Sequence, residues 1–205
     1  MSEPEAVVVR HGETEWSRNG RHTSVTDLDL TGEGRRQAQQ AGQQLAGRSW
    51  TLVLTSPRRR ALETAALAGL GERAEVDDDL AEWNYGDYEG LTTAQILERH
   101  PGWSLWRDGC PGGEDSAAVT RRVDRLITRV RAVDGGGAVL LFAHGHILRV
   151  FGARWVALEA TWGRAFSLAT ASISTLGWDH HEAAVVEWNN TSHLTGSASP
   201  PQPRA

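Results

Sequence analysis

Three short apolar runs, each ending abruptly in a polar cluster, constrain this chain more than any other feature. Residues 6–9 (AVVV) run into Arg10-His11-Gly12, and residues 52–55 (LVLT) run into Ser56-Pro57-Arg58-Arg59-Arg60. Residues 138–142 (AVLLF) lead to His144-Gly145-His146. Brief, continuous apolar runs of this kind predict strands buried on both faces.

Helical patterns separate them. Residues 32–46 predict a helix with Thr31 as N-cap and Gly47 as its stop. Ser56 and Pro57 read as the N-cap and first position of another, running to residue 69. Thr92 and Gln95 have the capping-box pattern, opening a short helix that ends at His100 before Pro101. Residues 116–132 place Val119, Val123, Leu126, Ile127 and Val130 on one face. Residues 173–178 and 184–188 predict a closing hairpin around Asp179-His180-His181, whose two histidines are expected to be exposed, as is His193.

Strands alternating with helices imply an α/β three-layer sandwich, a mainly parallel sheet with helices on both faces. Ligands of such sheets sit beyond the C-terminal strand ends. The three polar clusters all fall there, so one sheet would bring distant parts of the sequence to one edge.

A length of 205 residues suits one domain, expected over 1–194. Residues 1–5 read as a loose arm, and 195–205 (TGSASPPQPRA) as a disordered tail with little to bury. The net charge of -5 argues against a nucleic-acid partner. It leaves room for a small phosphorylated substrate, because a few local arginines suffice to hold one. A single cysteine, Cys110, allows no internal disulfide and suits a reducing compartment. The N-terminus lacks the apolar core of a signal peptide, and no apolar run approaches the roughly 20 residues of a membrane span. A cytoplasmic protein with no membrane partner is the expectation; homodimerisation stays open.

His11 follows a strand and is flanked by Arg10 and by Gly12, which lets backbone approach a ligand closely. A neutral imidazole is a competent nucleophile toward phosphorus. An isolated histidine in this place is more often structural. The run Arg58-Arg59-Arg60 lies where a helix macrodipole disfavours cations, by a few tenths to about 1 kcal/mol each. An anion in the same space would resolve that conflict, with two of the three left as a solvated patch. His144 reads as a capped strand end or, paired with His146, as a metal ligand. No neighbouring carboxylate or cysteine completes a zinc set. Glu82, beside Trp83 and Tyr85, is a carboxyl whose partial desolvation would favour the protonated form a proton donor needs.

These residues come in blocks. Arg10-His11-Gly12-Glu13-Thr14 with Trp16 closely resembles the signature of the histidine phosphatase superfamily, the phosphoglycerate-mutase-like fold. The resemblance continues through Leu30-Thr31 with Gly34, Thr55-Ser56-Pro57 with Arg60-Ala61, and Glu82 with Tyr85-Gly86 and Glu89-Gly90. Gly113-Glu114 and Ala143-His144-Gly145 complete it, over about residues 6–190. It implies that His11 is the phosphorylated nucleophile and that Glu82 protonates the leaving oxygen and then activates water. Arg10, Arg60 and His144 would bind the transferring phosphoryl oxygens, which selects Arg60 from the arginine run. Arginines and histidines would supply the positive charge, so neither a metal nor another cofactor is expected.

Three departures shape the pocket expectation. Ser17 stands where many members have Asn, and His22-Thr23 where many have Gln-Gly. With Tyr85 and Gly145, these residues are the candidate substrate-binding set. Trp83 and Asn84 replace the Arg-His of the mutase branch, and its longer basic insertion is missing. That favours a phosphatase over the alternative, a phosphoglycerate mutase. A non-catalytic phospho-ligand binder is the rival of another class, but it should have lost His11, Glu82 or His144. Segments around Asp77–Gly90 and Trp106-Arg107-Asp108-Gly109-Cys110 resemble a branch of sedoheptulose-bisphosphatase-like enzymes and bacterial broad-specificity acid phosphatases. Sugar bisphosphates and loose specificity both fit that resemblance.

Overall fold

Alternate residues of the central strands face opposite sides of one sheet, and both sides are apolar. The computed structural model describes residues 3–194. Its strands are β1 (Glu5–Arg10), β2 (Leu52–Thr55), β3 (Ala74–Val76), β4 (Ala138–Ala143), β5 (Ile173–Asp179) and β6 (Glu182–Asn190). Its helices are α1 (Glu15–Asn19), α2 (Gly32–Leu45), α3 (Arg59–Leu67), α4 (Thr93–Arg99), α5 (Leu105–Asp108), α6 (Ser116–Arg131) and α7 (Gly145–Trp155). On one face Val7, Val9, Leu140 and Phe142 pack against Ala41 and Leu45 of α2 and Ala65 of α3. On the other, Ala6, Val8, Val139 and Leu141 meet Val123 and Leu126 of α6 and Ile147 and Phe151 of α7. Each layer of helices thus exists because both faces of the strands must leave water.

The six strands lie in the order β3-β2-β4-β1-β5-β6. Pairs β1–β4, β4–β2 and β2–β3 are parallel, whereas β1–β5 and β5–β6 are antiparallel. The fold is the expected three-layer α/β sandwich with a mainly parallel sheet. Register sets the level at which the strands stop. Arg10 lies opposite Ala143 and Thr55 opposite Phe142, so three parallel strands end together. The N–H of His11 then donates to Ala143 O and that of Ser56 to Phe142 O, both at 2.9 Å.

Several local expectations need correction. Strand β3 has only three residues and a half-exposed, charged pattern that periodicity cannot flag. Helix α3 starts at Arg59, and Ser56 is not its N-cap. Asp27 accepts the Arg59 N–H at 2.8 Å, and the Ser56 hydroxyl is drawn instead to His144. The arm is tied down too: Glu5 pairs with Ala138, and Trp178 Nε1 donates to Pro4 O at 2.9 Å. His193 is half-buried, with Nε2 donating to Ala171 O at 3.0 Å. His180 and His181 are exposed at a two-residue hairpin turn with φ of 47° and 69°, the backbone such a turn requires. The expected tail at 195–205 lies outside the described residues. No helix among the described residues is long and apolar enough to cross a membrane.

Candidate active site

Above the shared strand ends opens a cleft of about 560 Å³. Its position depends on backbone packed flush against backbone. A Cβ on Gly12 would stand 2.3 Å from Gly34 O, and one on Gly34 would stand 2.1 Å from Glu13 O. The loop after β1 is thereby pressed onto the first turn of α2, and Thr64 of α3 accepts the Gly12 N–H at 3.1 Å.

His11 is buried at the cleft floor, with Nδ1 2.7 Å from Gly12 O. A carbonyl only accepts, so Nδ1 carries the proton and Nε2 keeps its lone pair. Burial first, then the charges of Arg60 and Arg10, hold this imidazole well below its ordinary value. His11 is neutral at neutral pH. Arg10 extends beside it, donating to Leu168 O at 2.6 Å. The Arg10 guanidinium carbon would lie 3.4 Å from a Cβ at Gly145, so the glycine admits the planar cation against the first turn of α7.

His144 and Arg60 lie behind His11, fully buried, and neither lines the open cleft. Arg60 Nε donates to His144 Nδ1 at 3.1 Å, which puts the His144 proton on Nε2, 2.6 Å from Ser56 Oγ. The remaining Arg60 donors reach Thr23 O, Ser24 O and Thr26 O, pinning the loop that forms one cleft wall. Burial, then Arg60, hold His144 well below its ordinary value. The positive charge expected from the histidines is therefore absent at neutral pH, and the arginines supply it.

Glu82 is buried but not in the apolar surroundings its neighbours suggest. Trp83 turns away to donate from Nε1 to Glu114 O at 3.0 Å. Glu82 Oε1 accepts the N–H groups of Trp83 (2.9 Å) and Ile147 (2.8 Å), and Oε2 accepts that of His146 (3.0 Å). The carboxyl thus sits on the N-terminus of α7, the helix that His144 precedes as N-cap. Both lone pairs of Oε1 are occupied and one on Oε2 is open. Beyond it Tyr85 OH and His146 Nδ1 are 2.7 Å apart, and the rings of His22 and Tyr85 meet edge-on at 4.7 Å. Burial, then Arg149, hold His146 well below its ordinary value; burial, then Glu82, hold the Tyr85 phenol well above its own. Among the described residues no group of His, Cys, Asp and Glu is arranged to hold a metal ion.

A neutral imidazole with an unprotonated Nε2, flanked by two arginines and a buried carboxyl, is a constellation suited to phosphoryl transfer. The family model of the histidine phosphatase superfamily (branch 1) matches residues 6–191. The chain belongs to this family. An acid phosphatase of Mycobacterium tuberculosis is 47% identical over 176 residues, 85% of this chain and 86% of its own. The sedoheptulose 1,7-bisphosphatase of Saccharomyces cerevisiae is 38% identical over 185 residues, covering 76% and 68%. The solved structure of an open-reading-frame product from Mycobacterium tuberculosis superposes with a TM-score of 0.88 at 43% identity, over 93% of this chain and 99% of that one. As a histidine phosphatase the chain is an enzyme, a phosphatase of the phosphohistidine-forming kind.

Of the residues expected from sequence, Arg10, His11, Ser17, His22, Thr23, Glu82, Tyr85 and Gly145 line this histidine phosphatase's cleft. The Ser17 hydroxyl is engaged in the capping box of α1 with Thr14, and Thr23 Oγ1 donates to Arg21 O. Sequence reading missed Arg21, Arg149 and Arg164, and weighed His146 only as a metal partner of His144; all four also line it. His146 and Arg149 stand three apart on α7, so the helical spacing downstream of His144 held a usable signal. Arg164 lies on a short 3-10 turn, Ala160–Ala165, where no pattern pointed to it.

Proposed function

We propose that this enzyme hydrolyses phosphate monoesters of small polar metabolites, sugar phosphates or bisphosphates, with His11 as the residue phosphorylated and without a metal or other cofactor. The observation that carries the assignment is the His11 Nδ1–Gly12 carbonyl bond, which leaves Nε2 unprotonated. Nε2 attacks phosphorus, and the bond from phosphorus to the leaving oxygen breaks. Glu82, protonated on Oε2, gives its proton to that oxygen, which departs as an alcohol. Water then attacks the phosphohistidine, Glu82 takes the proton, and inorganic phosphate and free His11 result. Arg10 neutralises the phosphoryl oxygens, with Arg60 and His144 backing it from behind His11.

Charge supports the substrate class. Arg10, Arg21, Arg149 and Arg164 line the cleft against one carboxylate, Glu82. Burial, then the repulsion of Arg10, lower Arg149 to about 10. Two cations held this close favour a ligand with more negative charge than one phosphoryl group brings. The name of one relative, sedoheptulose 1,7-bisphosphatase, agrees with a phosphorylated sugar. A single domain over residues 1–194 in a cytoplasmic setting fits the extent of the family match and the one, buried cysteine.

Brief incubation with a labelled sugar phosphate, after exhaustive chelation of divalent metals, tests the assignment. Acid-labile, alkali-stable label should appear on the protein and disappear in His11→Ala. Label persisting in the variant would move the nucleophile elsewhere, and loss of turnover on chelation would end the metal-free reading.

A further inference from the structure

We propose that Arg122, a residue of α6 that does not line the cleft, is the positioning residue for Glu82. The face of α6 that carries Val119, Val123 and Leu126 into the core also carries Arg122, a charge at a core position. Its Nη1 donates to Asp79 O (2.8 Å) and Ala81 O (2.7 Å), and its Nη2 to Glu82 O (3.2 Å). The fork is completed by Glu114, which accepts Nε and Nη2 at 2.8 Å each. Glu114 also reaches the same loop directly. Its Oε2 accepts the Asn84 N–H at 2.8 Å, and its backbone N–H donates to Asn84 O at 2.9 Å. A Cβ at Gly113 would stand 2.2 Å from Asn84 O, so this segment lies flush on the loop.

Glu82 is thereby held from two sides: α7 grips its carboxyl group, and Arg122 grips its backbone. Replacing a buried ion pair with apolar side chains is often neutral or stabilising, so stability alone is a weak reason for this one. Geometry is a better one, because a displacement of about 1 Å can cost roughly 10²-fold in rate. Lysine keeps the charge of arginine but lacks the planar fork that spans three carbonyls and a carboxylate.

The inference rests on Glu82 as the proton donor, and its test separates the two. Rates on glycerol phosphate, which has a poor leaving group, are divided by rates on p-nitrophenyl phosphate, whose leaving group needs no proton. In Arg122→Lys the quotient should fall by about tenfold or more. In Glu82→Gln/Arg122→Lys it should fall little further than in Glu82→Gln. Parallel loss on both substrates would make Arg122 merely structural and overturn the proposal. If Glu82→Gln lowers the quotient and Arg122→Lys does not, the positioning role alone fails. If Glu82→Gln leaves it unchanged, both readings fall. Should Arg122→Lys not fold, Glu114→Gln, which weakens the fork while keeping its shape, decides by the same quotient.

Discussion

The imidazole of His11 and the carbonyl of Gly12, its own chain neighbour, share a hydrogen bond of 2.7 Å, so the tautomer of His11 is set by a turn of backbone. The residue after His11 has to be one whose backbone can fold back in this way with Gly34 in contact behind it.

Buried neutral histidines give the stability a definite pH dependence. His11, His144 and His146 are each held well below the ordinary value, in every case mainly by burial. Below about pH 6.5 the unfolded chain protonates these groups while the folded one does not, so acid favours unfolding. Their contribution is complete above that pH and is lost as pH falls toward the depressed folded values. Melting temperature should be level from pH 8 to 7 and decline below 6.5. His11, in contrast, should keep an unprotonated Nε2 under mildly acidic conditions. A melting temperature that rises on acidification would contradict the burial argument.

Glu82→Gln should lower turnover of a sugar phosphate by about 10² to 10⁴ and that of an aryl phosphate far less. The measure is a comparison within one variant, so a folding defect cancels. Equal losses would leave Glu82 a helix-capping role only.

Arg149→Met removes a cleft cation together with its guanidinium stacking on Trp106 and its hydrogen bonds to Gly163 O and Arg164 O, while keeping an unbranched apolar side chain. For a sugar bisphosphate KM should rise roughly tenfold or more, the weight of one charge-assisted hydrogen bond. A monophosphate of the same sugar should be affected much less. Equal effects on both would place Arg149 at the transferred phosphoryl group.

Gly34→Ala should cost about 1–3 kcal/mol, because the added methyl meets backbone that cannot yield, as overpacking typically does. Calorimetry should show a melting temperature lower by several degrees, with activity per folded molecule reduced as Gly12 is displaced. An unchanged melting temperature would mean the α2–β1 contact is loose.

Much of the site was legible because its parts are local signals at strand ends. Arg10-His11-Gly12 and His144-Gly145 follow apolar runs, and parallel register then makes them neighbours. Ser56 illustrates what was not legible. Its place before a proline has the pattern of a cap, yet the partner that wins its hydroxyl, His144, is 88 residues away. Glu82 is similar. Its aromatic neighbours suggested an apolar pocket, whereas the groups that fix it are amides of α7, far along the chain. The rim arginines escaped for a related reason: a surface arginine looks the same in sequence whether it faces solvent or a cleft.

The central place of β1 also bears on how the enzyme is made. The strand that presents His11 is synthesised well before both of its partners, β4 and β5, which lie more than half the chain downstream. Non-local pairing of this kind repays its loop-closure entropy late and slows folding. A nascent chain therefore carries the valine-rich β1 without its partners until β4 and β5 have emerged. A complete cleft arrives with the last strands rather than with β1, and shortening the chain into β5 would remove one of the two strands that hold His11 in place.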